Sequence, residues 1–260
     1  MNFKNNDIKI NENIMQFYNK YKLANQWRNT NPTNWISNKK ITDTDDDKIY
    51  SQYTSLLNKI SESNFNDLLK DITAIKTNKK EHIDKLSELV FNKAITEKKF
   101  STIYAKLAKQ LNELFVQDDN KEKNNNNNNN HTFRKSLIGK CQSIFNMLVS
   151  GESNLSKDNA NGCMRFIGEL YCWDVLSNKV IESCLTMLLQ KIQSNNKHKS
   201  DLISYTCTLI KNIGSVYFKK NNDIKNMFFE KVELLLLTPL ENKDKFALMD
   251  IQDLEKNENW

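Results

Sequence analysis

From Asp47 onward, apolar residues recur at the three- and four-residue spacing of helices buried along one side. The spacing predicts a first helix over about 48–60, with Ile49, Tyr53, Leu56, Leu57 and Ile60 on one face. A second follows, capped by Ser61 or Ser63 and carrying Phe65, Leu68, Leu69, Ile72 and Ile75. A third, about 81–95, places Ile83, Leu86, Leu89, Val90 and Ala94 together, and a fourth, about 99–116, places Phe100, Ile103, Tyr104, Leu107, Leu111 and Leu114. Helix, short turn and helix thus alternate at roughly 35–40 residues per pair, near the period of helical-hairpin repeats.

The pattern stops at Gln117 and returns at Phe133. Between them lie seven consecutive asparagines, Asn124 to Asn130, and residues 117–131 read as a disordered loop between two pairs. Phe133, Leu137, Ile138, Cys141, Ile144 and Phe145 form the next stripe, and residues 149–161 read as a second loop. Further helices are predicted over about 178–193, 200–217, 222–237 and 243–255, with Gly214 near the end of the second of these. The total is ten helices in five pairs. The expected fold class is all-α, an α-solenoid of about five HEAT-type helical hairpins.

The run Gly162–Leu176, GCMRFIGELYCWDVL, holds the broadest apolar stripe, with Phe166, Ile167, Leu170 and Tyr171. Gly168 interrupts it. A glycine inside a helix costs about 1 kcal/mol relative to alanine, so its use there is to let a neighbouring helix approach closely. Glu169 must find a partner or point to water.

Composition supports the helical reading: 5 Gly and 2 Pro in 260 residues leave few turn signals. Lys and Arg outnumber Asp and Glu by 38 to 32, a mild excess compatible with a solvated surface, RNA phosphates or an acidic partner. Cys141, Cys163, Cys172, Cys184 and Cys207 are scattered without a C-x-x-C pair, which reads as reduced thiols in a cytosolic protein and argues against disulfides or a metal site. The first residues lack the apolar region of a signal peptide, and the longest leucine run, Leu234 to Leu237, is too short to span a bilayer. A soluble, cytoplasmic protein with no membrane partner is expected.

Residues 1–47 form a polar, mostly disordered N-terminal arm ahead of a helical domain over 48–260. The arm carries Phe17, Tyr18, Tyr21, Trp27 and Trp35, aromatics that either anchor a linear motif in a partner's groove or pack back on the domain.

Catalytic and cofactor signatures are missing: there is no P-loop, dinucleotide-binding fingerprint or H-E-x-x-H. His82, His131 and His198 lie apart and read as surface histidines, and Asp43, Asp45, Asp46 and Asp47 favour the N-terminus of the helix that follows. No catalytic residue, metal ligand or cofactor is expected, and the residues point to a scaffold. Basic clusters remain. Lys98, Lys99, Lys106 and Lys109 share one helix, and Arg134, Lys135 and Lys140 another; lined up on one side of the solenoid they would track RNA phosphates.

Five stretches, LLNKISESNFNDLLKDI (Leu56–Ile72), FSTIYAKLAKQL (Phe100–Leu111), FRKSLIGKCQSIF (Phe133–Phe145), FIGELYCWDVLS (Phe166–Ser177) and DIQDLEKNENW (Asp250–Trp260), resemble in order and spacing the middle domain of eukaryotic translation initiation factor 4G. The resemblance implies a five-pair HEAT-type solenoid that clamps a DEAD-box RNA helicase of initiation factor 4A type across both of its lobes, stimulates it and contacts RNA. It also implies helicase contact through exposed apolar residues of the first pair, at the positions of Leu57, Ile60 and Phe65; their spacing is equally that of plain core residues. It implies a tether to a cap-binding protein of initiation factor 4E type through Tyr18 and Leu23, although Ala24 stands where the family has a large apolar residue. Alternatives left open are a helicase- or RNA-binding translational repressor of the same family and a generic helical-repeat adaptor. Brevity and the asparagine run suggest a minimal form from a compact or viral genome.

Overall fold

The computed structural model describes residues 44–75, 79–121, 133–194, 197–258 and 260. Among them all regular structure is helical: α1 Asp45–Leu57, α2 Phe65–Ala74, α3 Lys80–Thr96, α4 Ser101–Lys121, α5 Phe133–Ser150, α6 Lys157–Cys172, α7 Asn178–Gln193, α8 Lys199–Lys220, α9 Asn222–Leu236 and α10 Asn242–Glu258, with one 3-10 turn, Lys98–Phe100. No helix among the described residues is long and apolar enough to cross a membrane. The ten helices pair in sequence, as the periodicity predicts. The second helices α2, α4, α6, α8 and α10 stack into a continuous layer, whereas the first helices α1, α3 and α5 touch in turn and α7 then stands apart from α5 with little contact.

Helix ends differ from the sequence reading where capping decides them. Thr44 accepts the Asp47 N–H at 3.2 Å while the Asp47 carboxylate accepts the Thr44 N–H at 3.2 Å, a reciprocal cap that starts α1 at Asp45, four residues before the first apolar position. Neither Ser61 nor Ser63 caps α2. Asn64 instead folds the turn, accepting the Ser61 N–H at 2.8 Å and donating to the Lys59 carbonyl at 2.7 Å. Helix α4 runs on to Lys121, five residues into the predicted loop. Ser156 accepts the Asn159 N–H at 3.3 Å and starts α6 at Lys157, so the second predicted loop shrinks to the residues between Ser150 and Lys157.

The apolar stripes pack as one core through all five pairs; Tyr53, Leu86, Leu107, Phe133, Phe166, Ile210, Phe228 and Ile251 are fully buried within it. Polar ties repeat along the edge where the second helices begin. Lys98 reaches Asp158 at 3.1 Å, Lys157 reaches Asp201 at 3.1 Å, and Ser200 donates to Asp244 at 2.9 Å. Helix α6 is also held to α4 at its far end, where Lys109 lies 3.4 Å from Asp174. His82, expected at the surface, is buried in the first turn of α3, with Nε2 2.9 Å from Asp46; Lys79 lies 2.7 Å from the same carboxylate. These hydrogen bonds, that of Lys79 first, hold the Asp46 carboxyl below its ordinary range.

Close helix approach centres on α6. A Cβ at Gly162 would stand 2.1 Å from the backbone carbonyl oxygen of Ile95, so α6 crosses the end of α3 backbone against backbone. At Gly168 a Cβ would meet Asn212 Nδ2 at 2.8 Å and Ile213 Cγ2 at 3.1 Å on α8, and Asn212 donates to the Arg165 carbonyl at 2.8 Å. Glu169 is half-buried. Gly214 lies six residues before the end of α8 and is no cap; the Trp260 ring lies over it, against Phe218, and Lys225 donates to the Trp260 carbonyl at 2.7 Å.

Two glycine substitutions separate packing from helix propensity. Gly162→Ala is expected to destabilise the domain by about 3 kcal/mol, since the obstructing atom is backbone. Gly139→Ala, on α5 with nothing within 4 Å of its Cβ, should stabilise by about 1 kcal/mol; urea midpoints at constant slope read both. Asp46→Asn should lower stability at neutral pH. Because the folded-state pKa of Asp46 is depressed, its contribution is present above the ordinary carboxylate range and lost as pH falls through it, about pH 4 and below. The urea midpoint of Asp46→Asn should therefore converge on that of the unsubstituted protein towards pH 3, within about a tenth of the extrapolated stability.

Candidate functional site

Leu57, Ile60 and Phe65 of the first pair are buried in the core. Their exposures are 1%, 6% and 3%, and α4 touches two of them, with Tyr104 at the Leu57 carbonyl and Lys106 over the Phe65 ring. The Tyr104 hydroxyl stands 3.2 Å from the Leu57 carbonyl and 2.8 Å from Glu97 Oε2, and burial with that carboxylate pushes its pKa far up. Among the side chains that solvent reaches is Leu56, one position from Leu57. Ile49 and Leu56 of α1 and Ile75 after α2 line a shallow groove between the two helices, rimmed by Gln52 and Asp71.

The basic residues separate into two sets. Lys98 and Lys99 are exposed on the 3-10 turn, Lys106 lies with its ammonium 4.3 Å from the Phe65 ring centre and 3.8 Å from Glu62, and Lys109 pairs with Asp174. The structure thus brings together Phe65 and Lys106, which the sequence assigned to different partners. Arg134, Lys135 and Lys140 belong to α5, in the layer of first helices. Arg134 donates through Nη2 to the Val175 carbonyl at 2.9 Å, beside the Lys109–Asp174 pair. Lys98, Lys106 and Lys109 are therefore in ion pairs within the domain, each partly exposed and worth at most about 1 kcal/mol.

The turn where Lys109 and Arg134 meet is strained. Asp174 has φ 59°, its N–H donates to the Tyr171 carbonyl at 2.9 Å, and the Val175 N–H to the Leu170 carbonyl at 2.8 Å, which closes the end of α6 as a Schellman turn. Aspartate tolerates the left-handed region better than most residues.

Exposed apolar side chains collect on the last pair. Leu234, Leu237, Phe246 and Met249 are 55%, 84%, 63% and 47% exposed. A sequence signal for this existed: Leu234 to Leu237 are consecutive, and four adjacent positions cover nearly all sides of a helix, so some must face water. The motif at Tyr18, Leu23 and Ala24 lies outside the described residues. All five cysteines are free thiols; burial pushes Cys141 and Cys207 up to about 12 and Cys184 to about 11, which leaves them unreactive near neutral pH.

The family model described as the MIF4G domain matches residues 51–258, from within α1 to the end of α10. The chain belongs to the MIF4G family. Its relatives include Eukaryotic translation initiation factor 4 gamma 3 of Mus musculus, 26% identical over 244 residues, covering 82% of this chain and 15% of the relative. Eukaryotic translation initiation factor 4 gamma of Schizosaccharomyces pombe is 26% identical over 235 residues, 77% of this chain and 16% of the relative. A von Willebrand factor A domain-containing protein of Dictyostelium discoideum is 28% identical over 217 residues, 77% of this chain and 10% of the relative. The chain spans between a tenth and about a sixth of the length of these proteins. The MIF4G match includes every one of Leu57, Ile60, Phe65, Lys98, Lys99, Lys106, Lys109, Arg134, Lys135 and Lys140.

Asp174→Val places a β-branched residue at a left-handed position of this MIF4G domain and should cost about 1–2 kcal/mol. Asp174→Gly should show no such loss, since glycine adopts that backbone freely; thermal unfolding of the two variants side by side separates backbone strain from the exposed ion pair.

Proposed function

We propose that this protein is a scaffold of translation initiation that binds a DEAD-box RNA helicase of initiation factor 4A type and favours its active arrangement. The observation that carries the proposal is the MIF4G match over residues 51–258 together with relatives that are initiation factors by name. Solvent-reachable apolar surface at both ends of the solenoid supports it: the groove of Ile49, Leu56 and Ile75 on the first pair, and Leu237, Phe246 and Met249 on the last. A partner with two lobes bridges two such surfaces, and a scaffold that binds the closed arrangement more tightly raises its population. Leu57, Ile60 and Phe65 serve from beneath by fixing α1 and α2. RNA contact falls to the exposed Lys98–Lys99 turn, with Lys106 and Lys109 behind it, and a cap-binding protein of initiation factor 4E type is tethered through Tyr18 and Leu23.

The test is the RNA-dependent ATPase of an initiation factor 4A helicase with and without the full chain. Leu56→Asp and Phe246→Asp, both at solvent-reachable positions, should each weaken the stimulation about tenfold, the size of a 1.4 kcal/mol loss, with unchanged thermal unfolding. An ATPase rate that does not respond to the folded, unsubstituted chain refutes the reading. Retention on cap resin in the presence of the cap-binding protein should fall on Tyr18→Ala; unchanged retention removes the tether.

A further inference from the structure

Between α5 and α7, where the layer of first helices opens, lies a groove of about 270 Å³. Helix α5 turns Ile138, Cys141 and Phe145 into it, an i, i+3, i+7 stripe, and α7 turns in Val180, Cys184 and Met187, an i, i+4, i+7 stripe. Ile167 of α6 and Leu176 close the floor. Both stripes run for two helical turns, roughly 11 Å at 1.5 Å per residue. Cys141 and Phe145 are buried at the floor, while Val180 at the rim is 36% exposed. Gln142 and Asn146 of α5 and Ser183 of α7 add polar side chains to the lining.

Charge indicates the occupant. The two helices carry Arg134, Lys135, Lys140, Lys179 and Lys191 against a single carboxylate, Glu182, and α5 has no acidic residue at all. Lys179 lines the groove and is exposed, with no carboxylate in ion-pair distance among the described residues. A phosphate backbone would use these charges and leave the apolar floor unfilled. An amphipathic helix uses both: apolar side chains at helical spacing fill the floor, and acidic residues on its flanks meet the lysines within a Debye length of about 8 Å.

We propose that the groove between α5 and α7 is a docking site for a short acidic amphipathic helix of a protein partner. The site lies away from both apolar ends of the solenoid and is independent of the helicase reading.

The probe is a fluorescein-labelled peptide of about four helical turns, with leucines at helical spacing on a glutamate and alanine background, titrated with the full chain and read by fluorescence anisotropy. Saturable binding is expected. Lys179→Glu should weaken it at least about tenfold through charge, and Ser183→Trp should do the same by filling the groove with charge unchanged. The same peptide with lysine at every glutamate should not bind. Both substitutions are at exposed positions, and circular dichroism melts confirm that the variants fold. The proposal is overturned by equal binding of the two peptides, by insensitivity to Ser183→Trp, or by a U-rich single-stranded RNA that binds with the same dependence on Lys179 and displaces the acidic peptide.

Discussion

The missing side chain at position 162 sets the architecture. Because nothing projects from Gly162, α6 lies backbone to backbone on the carbonyl of Ile95, and α6 is the helix that also touches α4, α5 and α8. Any larger residue would lift α6 away from α3 and with it the contacts that join the second pair to the fourth. Close approach of this kind gains dispersion contacts over two helix surfaces at the cost of helix propensity at one residue. Gly168, one and a half turns further along, repeats the arrangement against α8, although there a side chain, Asn212, is the neighbour.

Burial of the apolar stripes supplies most of the stability, and the polar ties along the edges supply register. Each ion pair between pairs, such as Lys157 with Asp201, is exposed enough to be worth at most about 1 kcal/mol. Their value is positional. A lysine or serine at the start of one second helix meets an aspartate at the start of the next, so a slip by one turn would break the whole series together. A scaffold acts through the fixed spacing of its surfaces, and the proposed function would rest on this regularity.

The fold was legible in the sequence because each helix buries one face only, and the period of that face appears directly in the order of residues. The boundaries were less so: the reciprocal cap of Thr44 and Asp47 and the turn built by Asn64 are decided by side-chain hydrogen bonds, to which hydrophobic spacing is blind. Which apolar residues solvent reaches was the least legible. Leu56 and Leu57 are adjacent and equally apolar, yet the tertiary position of α4 buries Leu57 and leaves Leu56 at a groove. His82 shows the same limit, since only the return of α3 beside α1 brings it to Asp46. Among the basic residues, ion pairing across helices removed several from the free surface, and no count of lysines along the chain contains that information.

The unequal spacing of the two layers has a mechanical consequence. The second helices form an unbroken stack from α2 to α10, while the first helices part between α5 and α7 and again between α7 and α9. A stack in continuous contact resists stretching and compression, and a layer with a gap yields to both. Flexure of the solenoid therefore falls beyond the third pair, at its junction with the fourth and at that of the fourth with the fifth, with the second-helix layer as the neutral surface. Small changes in those gaps are levered into larger displacements of α1 relative to α10, so the first three pairs hold as one stiff body and the last two carry the give.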